Sequence, residues 1–229
     1  MKTKLVLFDI DQTILNSGGA GEKALTMALR DRFGREETLG NIEIAGKTDI
    51  WIAQRIFEAH GIEPHAENID LFLGGYLDHL KTELTRANGR LLPGFPQILD
   101  TLGSLPHVAI GLLTGNLRAG ADLKLRHYGV HDHFTFGAFA DDSQDRNNLG
   151  PFARRRAADL HGIDFAPSDI FIIGDTPHDI ACAKAIHARG VGVATGRYNR
   201  AALEAAGADF VFDDLSDIPA VIRTLGLDR

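Results

Sequence analysis

Asp9 and Asp11 stand two residues apart, directly after an apolar run over residues 5–8. A short apolar run closed by a polar turn reads as a buried strand of a parallel sheet. Ligands of open α/β sheets bind just beyond the carboxyl ends of such strands. In an extended chain, residues two apart point to the same side. Two adjacent carboxylates raise each other's pKa unless a cation or a shared proton intervenes. A hard cation such as Mg²⁺, which prefers oxygen ligands, meets that need. An aspartate at a strand end can equally cap a helix or open a turn. The pair alone therefore does not decide between the two readings; recurrence along the chain does.

Two further strand ends carry polar groups. An apolar run over residues 108–113 stops at Thr114, Gly115 and Asn116, and a strand pattern over 169–173 stops at Gly174-Asp175, with Asp179 four positions on. Each set has an ordinary reading. Thr114 to Asn116 can be a capping turn, Asp175 can cap the helix that begins at Pro177, and Asp179 can be an exposed first-turn acid. All strands of a parallel sheet end on one edge, however, so the three sets can converge. Three such endings in one chain make chance the weaker account.

The elements between these groups alternate. Helical patterns cover 97–105, 119–128, 151–161, 177–188, 200–206 and 217–225, and strands cover 108–113, 134–139, 169–173, 191–194 and 210–212. Gly129 follows the second of these helices as a stop signal. Strands alternating with helices imply right-handed crossovers and a mostly parallel sheet, the α/β class. Residues 16–90 differ. A Gly-rich loop at 16–21 leads into helical patterns at 22–33, 50–60 and 69–87, with no convincing strand. Ala24, Leu25, Ala28 and Leu29 make the apolar stripe of the first. This block reads as an inserted all-helical cap over 16–90, the core being built from 1–15 and 91–229.

Composition narrows the function classes. With 229 residues, 44% of them apolar, the chain can bury a real core. Acidic residues outnumber basic ones, 31 to 24, for a net charge of −7. That disfavours nucleic acid as a partner but leaves room for a small phosphorylated metabolite. No apolar stretch approaches membrane-spanning length. The run after Lys2 and Lys4 is too short for a signal peptide, and the lone Cys182 allows no internal disulfide. The expectation is a cytoplasmic protein, monomeric or homodimeric.

The ordered motifs resemble those of the haloacid dehalogenase-like hydrolase superfamily. Asp9-Ile-Asp11-Gln-Thr13 is similar to its first motif, Asp-x-Asp-x-Thr; Thr114 to its second; Gly174-Asp175 through Asp179 to its fourth. The resemblance spans the α/β part of the chain, and the helical insertion falls where the family carries its C1-type cap. It implies a three-layer α/β/α, Rossmann-like core and a Mg²⁺-dependent phosphatase of the phosphoglycolate phosphatase-like branch. Asp9 would be the nucleophile that forms an aspartyl-phosphate, and Asp11 the general acid and base. Asp9, Asp11 through its carbonyl, Asp175 and Asp179 would hold Mg²⁺. Thr114, the Gly115 N–H and Asn116 would bind the phosphate. An acid at position 11 favours ester hydrolysis over dehalogenation, since a halide leaves without a proton.

Two positions depart from the family pattern. Position 12 is Gln where Gly is common. The third motif, usually a lysine, has no lysine at its place, since none occurs between Lys124 and Lys184. Arg146 falls nearest the family position, with Arg154, Arg155 and Arg156 as rivals; arginine can bridge phosphate and carboxylate. Within the cap, residues 45–49 are the most site-like stretch. There Lys47 is a candidate for substrate binding, while Thr48 or Asp49 can equally cap the following helix. A phosphomutase shares these core motifs. A regulatory module that kept the fold and lost turnover is a further alternative, and a Schiff-base lysine at position 47 would suit a phosphonatase.

Overall fold

The structure is a computed structural model that describes residues 3–35, 39 and 42–228. In chain order its strands are β1 (Lys4–Phe8), β2 (Leu15–Asn16), β3 (Arg90–Leu91), β4 (Val108–Leu113), β5 (Gly137–Ala138), β6 (Ile170–Gly174), β7 (Arg189–Val193) and β8 (Phe210–Phe212). Its helices are α1 (Ala20–Phe33), α2 (Asp49–His60), α3 (Ala66–Arg86), α4 (Gln97–Gly103), α5 (Arg118–His127), α6 (Leu149–His161), α7 (Pro177–Ala185), α8 (Arg200–Ala205) and α9 (Ile218–Thr224).

Among the described residues, six strands form one sheet in the order β5-β4-β1-β6-β7-β8, and every pairing is parallel. The first strand lies inside the sheet, with β4 on one side and β6 on the other. The chain builds outward through β4 and β5, then returns across β1 to start β6. That reversal beside β1 is the topological switch point where open sheets form their crevice. It makes the ends of β4, β1 and β6 neighbours.

Side-chain alternation explains why β1 reads as an unbroken apolar run. Val6 and Phe8 belong to one buried cluster, with Ile98, Leu99, Leu125, Val221 and Leu225. Leu5 and Leu7 belong to the other, with Leu149, Ala153, Ala157, Cys182 and Ala183. Each face is thus covered by helices, and neither parity of the strand meets water. The expected three-layer α/β/α architecture is what forms.

The helices of residues 20–86 build a further apolar cluster, which Leu117 and Ala140 of the α/β part join. Ala24, Leu25, Ala28 and Leu29 of α1 pack with Ile52, Ile56 and Phe57 of α2 and Phe72, Tyr76 and Leu80 of α3. The chain reaches this cluster through β2 and leaves it through β3, which pair antiparallel as Leu15↔Leu91 and Asn16↔Arg90. This ribbon was not expected from the sequence, because two-residue strands carry no periodicity.

The strand expected over 134–139 shrinks to Gly137–Ala138. Phe134 instead follows a short 3-10 turn at His131–His133, and Phe136 lies across Gly111, where a Cβ would clash with its ring. No helix among the described residues is long and apolar enough to cross a membrane.

Candidate active site

The three strand ends do converge. Asp9 is 4% exposed, Asp175 3% and Asp179 0%, and one carboxylate oxygen from each lies within 4.8 Å of the others. Asp9 continues β1, with its N–H donating to the Ile173 carbonyl at 2.9 Å. Asp175 follows β6. Asp179 sits in the first turn of α7 and closes a capping box: its Oδ2 accepts from the Thr176 N–H at 3.0 Å and the Thr176 hydroxyl at 2.7 Å. Asp179 is therefore a buried first-turn acid rather than an exposed one, capping α7 with Oδ2 and turning Oδ1 to Arg146.

Arg146 occupies the centre of this cluster. Its Nη2 lies 2.5 Å from Asp179 Oδ1 and 3.0 Å from Asp9 Oδ1. Its Nη1 donates to the Gly46 carbonyl at 3.3 Å, which ties the cluster to the segment before α2. The buried Nε has no hydrogen-bond partner among the described residues. The Cys182 thiol donates to the Arg146 carbonyl at 3.3 Å and is pushed up to about 12 by burial, so it serves as packing. The rival arginines turn away: Arg154 pairs with Asp164, Arg155 with Asp159, and Arg156 with Asp142.

Charge crowding shows in the proton affinities. Burial pushes Asp9 up to about 6, with Arg146 opposing and Asp179 and Asp11 adding to the rise. Burial, reinforced by Asp179 and Asp9, pushes Asp175 up to about 9. Burial also works against the Arg146 cation, but Asp179 and Asp9 outweigh it and its pKa is raised. Three carboxylates facing one guanidinium leave two negative charges uncompensated when all are ionised. An all-oxygen donor set with a surplus of two charges fits a hard divalent cation.

Asp11 belongs to a second cluster. Its Oδ2 accepts from Lys124 Nζ at 2.6 Å and from Asn116 Nδ2 at 2.9 Å. The Asn116 amide also donates to the Thr114 hydroxyl at 2.8 Å, and its Oδ1 accepts from Lys124 at 2.6 Å. The carboxylate of Asp11 is thus not part of the three-carboxylate group. Lys124, 3% exposed on α5, was not among the residues expected from the sequence. The available signal was a lysine on the apolar stripe that Ala121 and Leu125 define, a position where a cation is costly unless paired.

Both clusters open into a cavity of about 490 Å³. Asp9, Asp11, Asn116 and Asp175 line it from the sheet edge; Leu25, Asp49, Ile52 and Tyr76 line it from the helical cluster. Gly115 is where the two meet. A Cβ there would lie 2.1 Å from the Lys47 carbonyl oxygen. The Asp49 N–H donates to the Gly115 carbonyl, and the Leu117 N–H donates to Asp49 Oδ2, both at 2.7 Å. Gly46, at φ 71, approaches as closely from the other side, since a Cβ would sit 2.5 Å from the Thr176 hydroxyl.

Thr48 takes the capping role: its hydroxyl accepts from the Trp51 N–H at 3.2 Å and donates to the Gln144 carbonyl at 2.6 Å. Lys47 brings its main chain to the cavity, but its ammonium rests 4.8 Å from the centre of the Trp51 ring. Thr114 is fully buried, its hydroxyl held by Asn116.

Comparison with known proteins agrees with this geometry. A family model for haloacid dehalogenase-like hydrolases matches residues 6–184. The phosphoglycolate phosphatase of Photobacterium profundum is 24% identical over 230 residues, covering 96% of each chain. The phosphate complex of CbbY from Rhodobacter sphaeroides superposes with a TM-score of 0.75 at 16% identity, covering 94% of this chain and 96% of that one. A hydrolase from Pseudomonas syringae superposes with a TM-score of 0.71 at 22% identity, covering 97% and 99%.

Proposed function

From the premise that the chain belongs to the haloacid dehalogenase-like hydrolase family, in its phosphoglycolate phosphatase-like branch, we propose that it hydrolyses a small phosphate monoester through Asp9, with Mg²⁺ as its cofactor. The observation that carries this reading is the meeting of Asp9, Asp175, Asp179 and Arg146 at adjacent strand ends, open to a cavity sized for a small metabolite.

Each residue has a role suited to its chemistry. An Asp9 oxygen attacks phosphorus in line with the ester oxygen and becomes an aspartyl-phosphate. Arg146 cancels charge between Asp9 and Asp179 and lines the cavity as the cation nearest the nucleophile. The Gly115 N–H and the Thr114 hydroxyl, whose proton Asn116 leaves free, are donors for the other oxygens. Asp11 gives its proton to the departing alkoxide and takes one from the water that then attacks the aspartyl-phosphate. Mg²⁺, held by Asp9, Asp175 and Asp179 and by the Asp11 carbonyl, would spread the charge that develops on the phosphoryl group.

Residues 16–90 act as the cap in this reading, closing over the leaving group through Gly46, Thr48 and Asp49. A Mg²⁺-dependent assay with p-nitrophenyl phosphate tests the proposal. Wild-type protein releases phosphate, and Asp9→Asn does not. Release at the Asp9→Asn background level in both would refute it.

A further inference from the structure

We infer that Lys124 is a positioning residue for proton transfer: with Asn116 it holds Asp11 Oδ2, so that Oδ1 is the oxygen that serves the leaving group. The inference rests on the phosphatase reading and adds to it a residue outside the three motifs that carry it.

Lys124 is almost fully buried, and its Nζ donates to Asp11 Oδ2 and to Asn116 Oδ1, each at 2.6 Å. An ammonium and a side-chain NH₂ can only donate. Oδ2 of Asp11 therefore faces two donors, and an O–H at that oxygen would find no acceptor among them. Oδ1 has no side-chain partner among the described residues. The side chain is 37% exposed and lines the cavity, so one oxygen is committed to the protein while the other is available to a ligand. A carboxyl free to rotate would offer either oxygen; this one is held in a single orientation. Lys124 gains its own rigidity from α5, whose Ala121 and Leu125 are buried on either side of it.

In the first step the Asp9 oxygen bonds to phosphorus, the ester P–O bond breaks, and its electron pair stays on the ester oxygen. That oxygen takes the proton from Asp11 Oδ1. In the second step water bonds to phosphorus and loses a proton to Oδ1, and the P–O bond to Asp9 breaks to restore both carboxyl groups.

The test is a series of aryl phosphates of graded leaving-group acidity, from p-nitrophenyl phosphate, whose phenolate departs unaided, to phenyl phosphate, whose phenol has a pKa of about 10. In Lys124→Met, kcat/KM should fall least for p-nitrophenyl phosphate. For phenyl phosphate it should fall roughly 100-fold, the size of a general-acid contribution. In an Asp11→Asn background, the same Lys124 substitution should add no further dependence on the leaving group.

A slope compares substrates on one preparation, so partial misfolding lowers every rate alike and leaves the slope readable. Equal losses across the series, or a further change of slope in Asp11→Asn, would overturn the role of Lys124 while leaving the phosphatase reading intact. A wild-type protein inert toward every aryl ester in Mg²⁺ would overturn both.

Discussion

Arg146 reaches across the sheet edge to hold Asp9: its Nη2 lies 3.0 Å from Asp9 Oδ1, although the two residues are 137 positions apart in sequence (146 − 9). This contact carries the first prediction. Arg146→Ala should slow turnover of every substrate by roughly 100-fold or more, because a charge aimed at the reacting group is lost. It should also destabilise the metal-free protein by about 3–5 kcal/mol, since the buried carboxylates lose their cation. Arg146→Lys keeps the charge but not the fork, and should recover part of the rate. Steady-state kinetics and urea unfolding measure both effects, and an Arg146→Ala enzyme of normal rate would remove Arg146 from the mechanism.

Gly115 carries the second. A methyl at this position meets the Lys47 carbonyl at 2.1 Å, a backbone atom that cannot swing aside. Gly115→Ala should separate residues 46–49 from the strand ends. Loss of the Asp49 and Leu117 hydrogen bonds follows, and kcat/KM should fall at least tenfold. Amide hydrogen exchange should rise at Asp49 and Leu117 while strands β1 and β6 stay protected.

Asp49 gives a pH dependence that can be measured without turnover. Burial pushes its carboxyl up to about 6 from 3.8, against the pull of Lys124 and the Leu117 N–H. A raised carboxyl contributes stability that is complete below pH 3.8 and lost as pH rises through 6. The full swing is about 3 kcal/mol, of which about 1.5 kcal/mol falls between pH 5 and 8. Asn at this position stays neutral and can still accept from Leu117. The stability of Asp49→Asn relative to wild type should therefore improve by that amount from pH 5 to pH 8 in urea melts. A difference that is flat with pH would show that the carboxyl ionises freely.

Asp175 reports on the cation. In wild-type protein, saturating Mg²⁺ should raise the melting temperature by roughly 5–10 °C, as expected for a ligand at about 100 times its Kd. Asp175→Asn removes one of three crowded carboxylates, so the metal-free variant should melt no lower than wild type. Its response to Mg²⁺ should be largely gone. Differential scanning calorimetry with and without EDTA distinguishes these outcomes.

Much of this site was legible because the signals are local. Asp9, Thr114 and Asp175 each end an apolar run, and a run buried on both faces is readable without knowing its neighbours. Arg146 could be picked over Arg154, Arg155 and Arg156 because three successive arginines on a helix read as a solvated face; Arg154 and Arg155 do pair with exposed acids, whereas Arg156 pairs with the half-buried Asp142.

Other features depend on contacts remote in sequence. Lys124 matters because α5 brings it to Asp11, 113 positions away (124 − 11); its place on the apolar stripe of α5 marks a buried cation but not the partner it meets. The departure at position 12 also finds its reason only in three dimensions. Gln12 has φ 59, a left-handed conformation that glycine adopts without cost, and here the Thr195 hydroxyl donates to its carbonyl at 2.5 Å. Lys47 lines the cavity, and its carbonyl meets Gly115 while its ammonium rests over the Trp51 ring, an arrangement that only the packed chain reveals.

The paired strands β2 and β3 have a consequence for how such a molecule can change. Seventy-three residues, 17 through 89, hang from a ribbon two residues wide, and both of its strands rise from the same place. A different cassette grafted onto Leu15 and Arg90 would have to replace the contacts that Gly46 and Lys47 make with Arg146, Thr176 and Gly115. The two stretches are therefore tied not only by the ribbon but by those backbone contacts, and a change in either has to keep them.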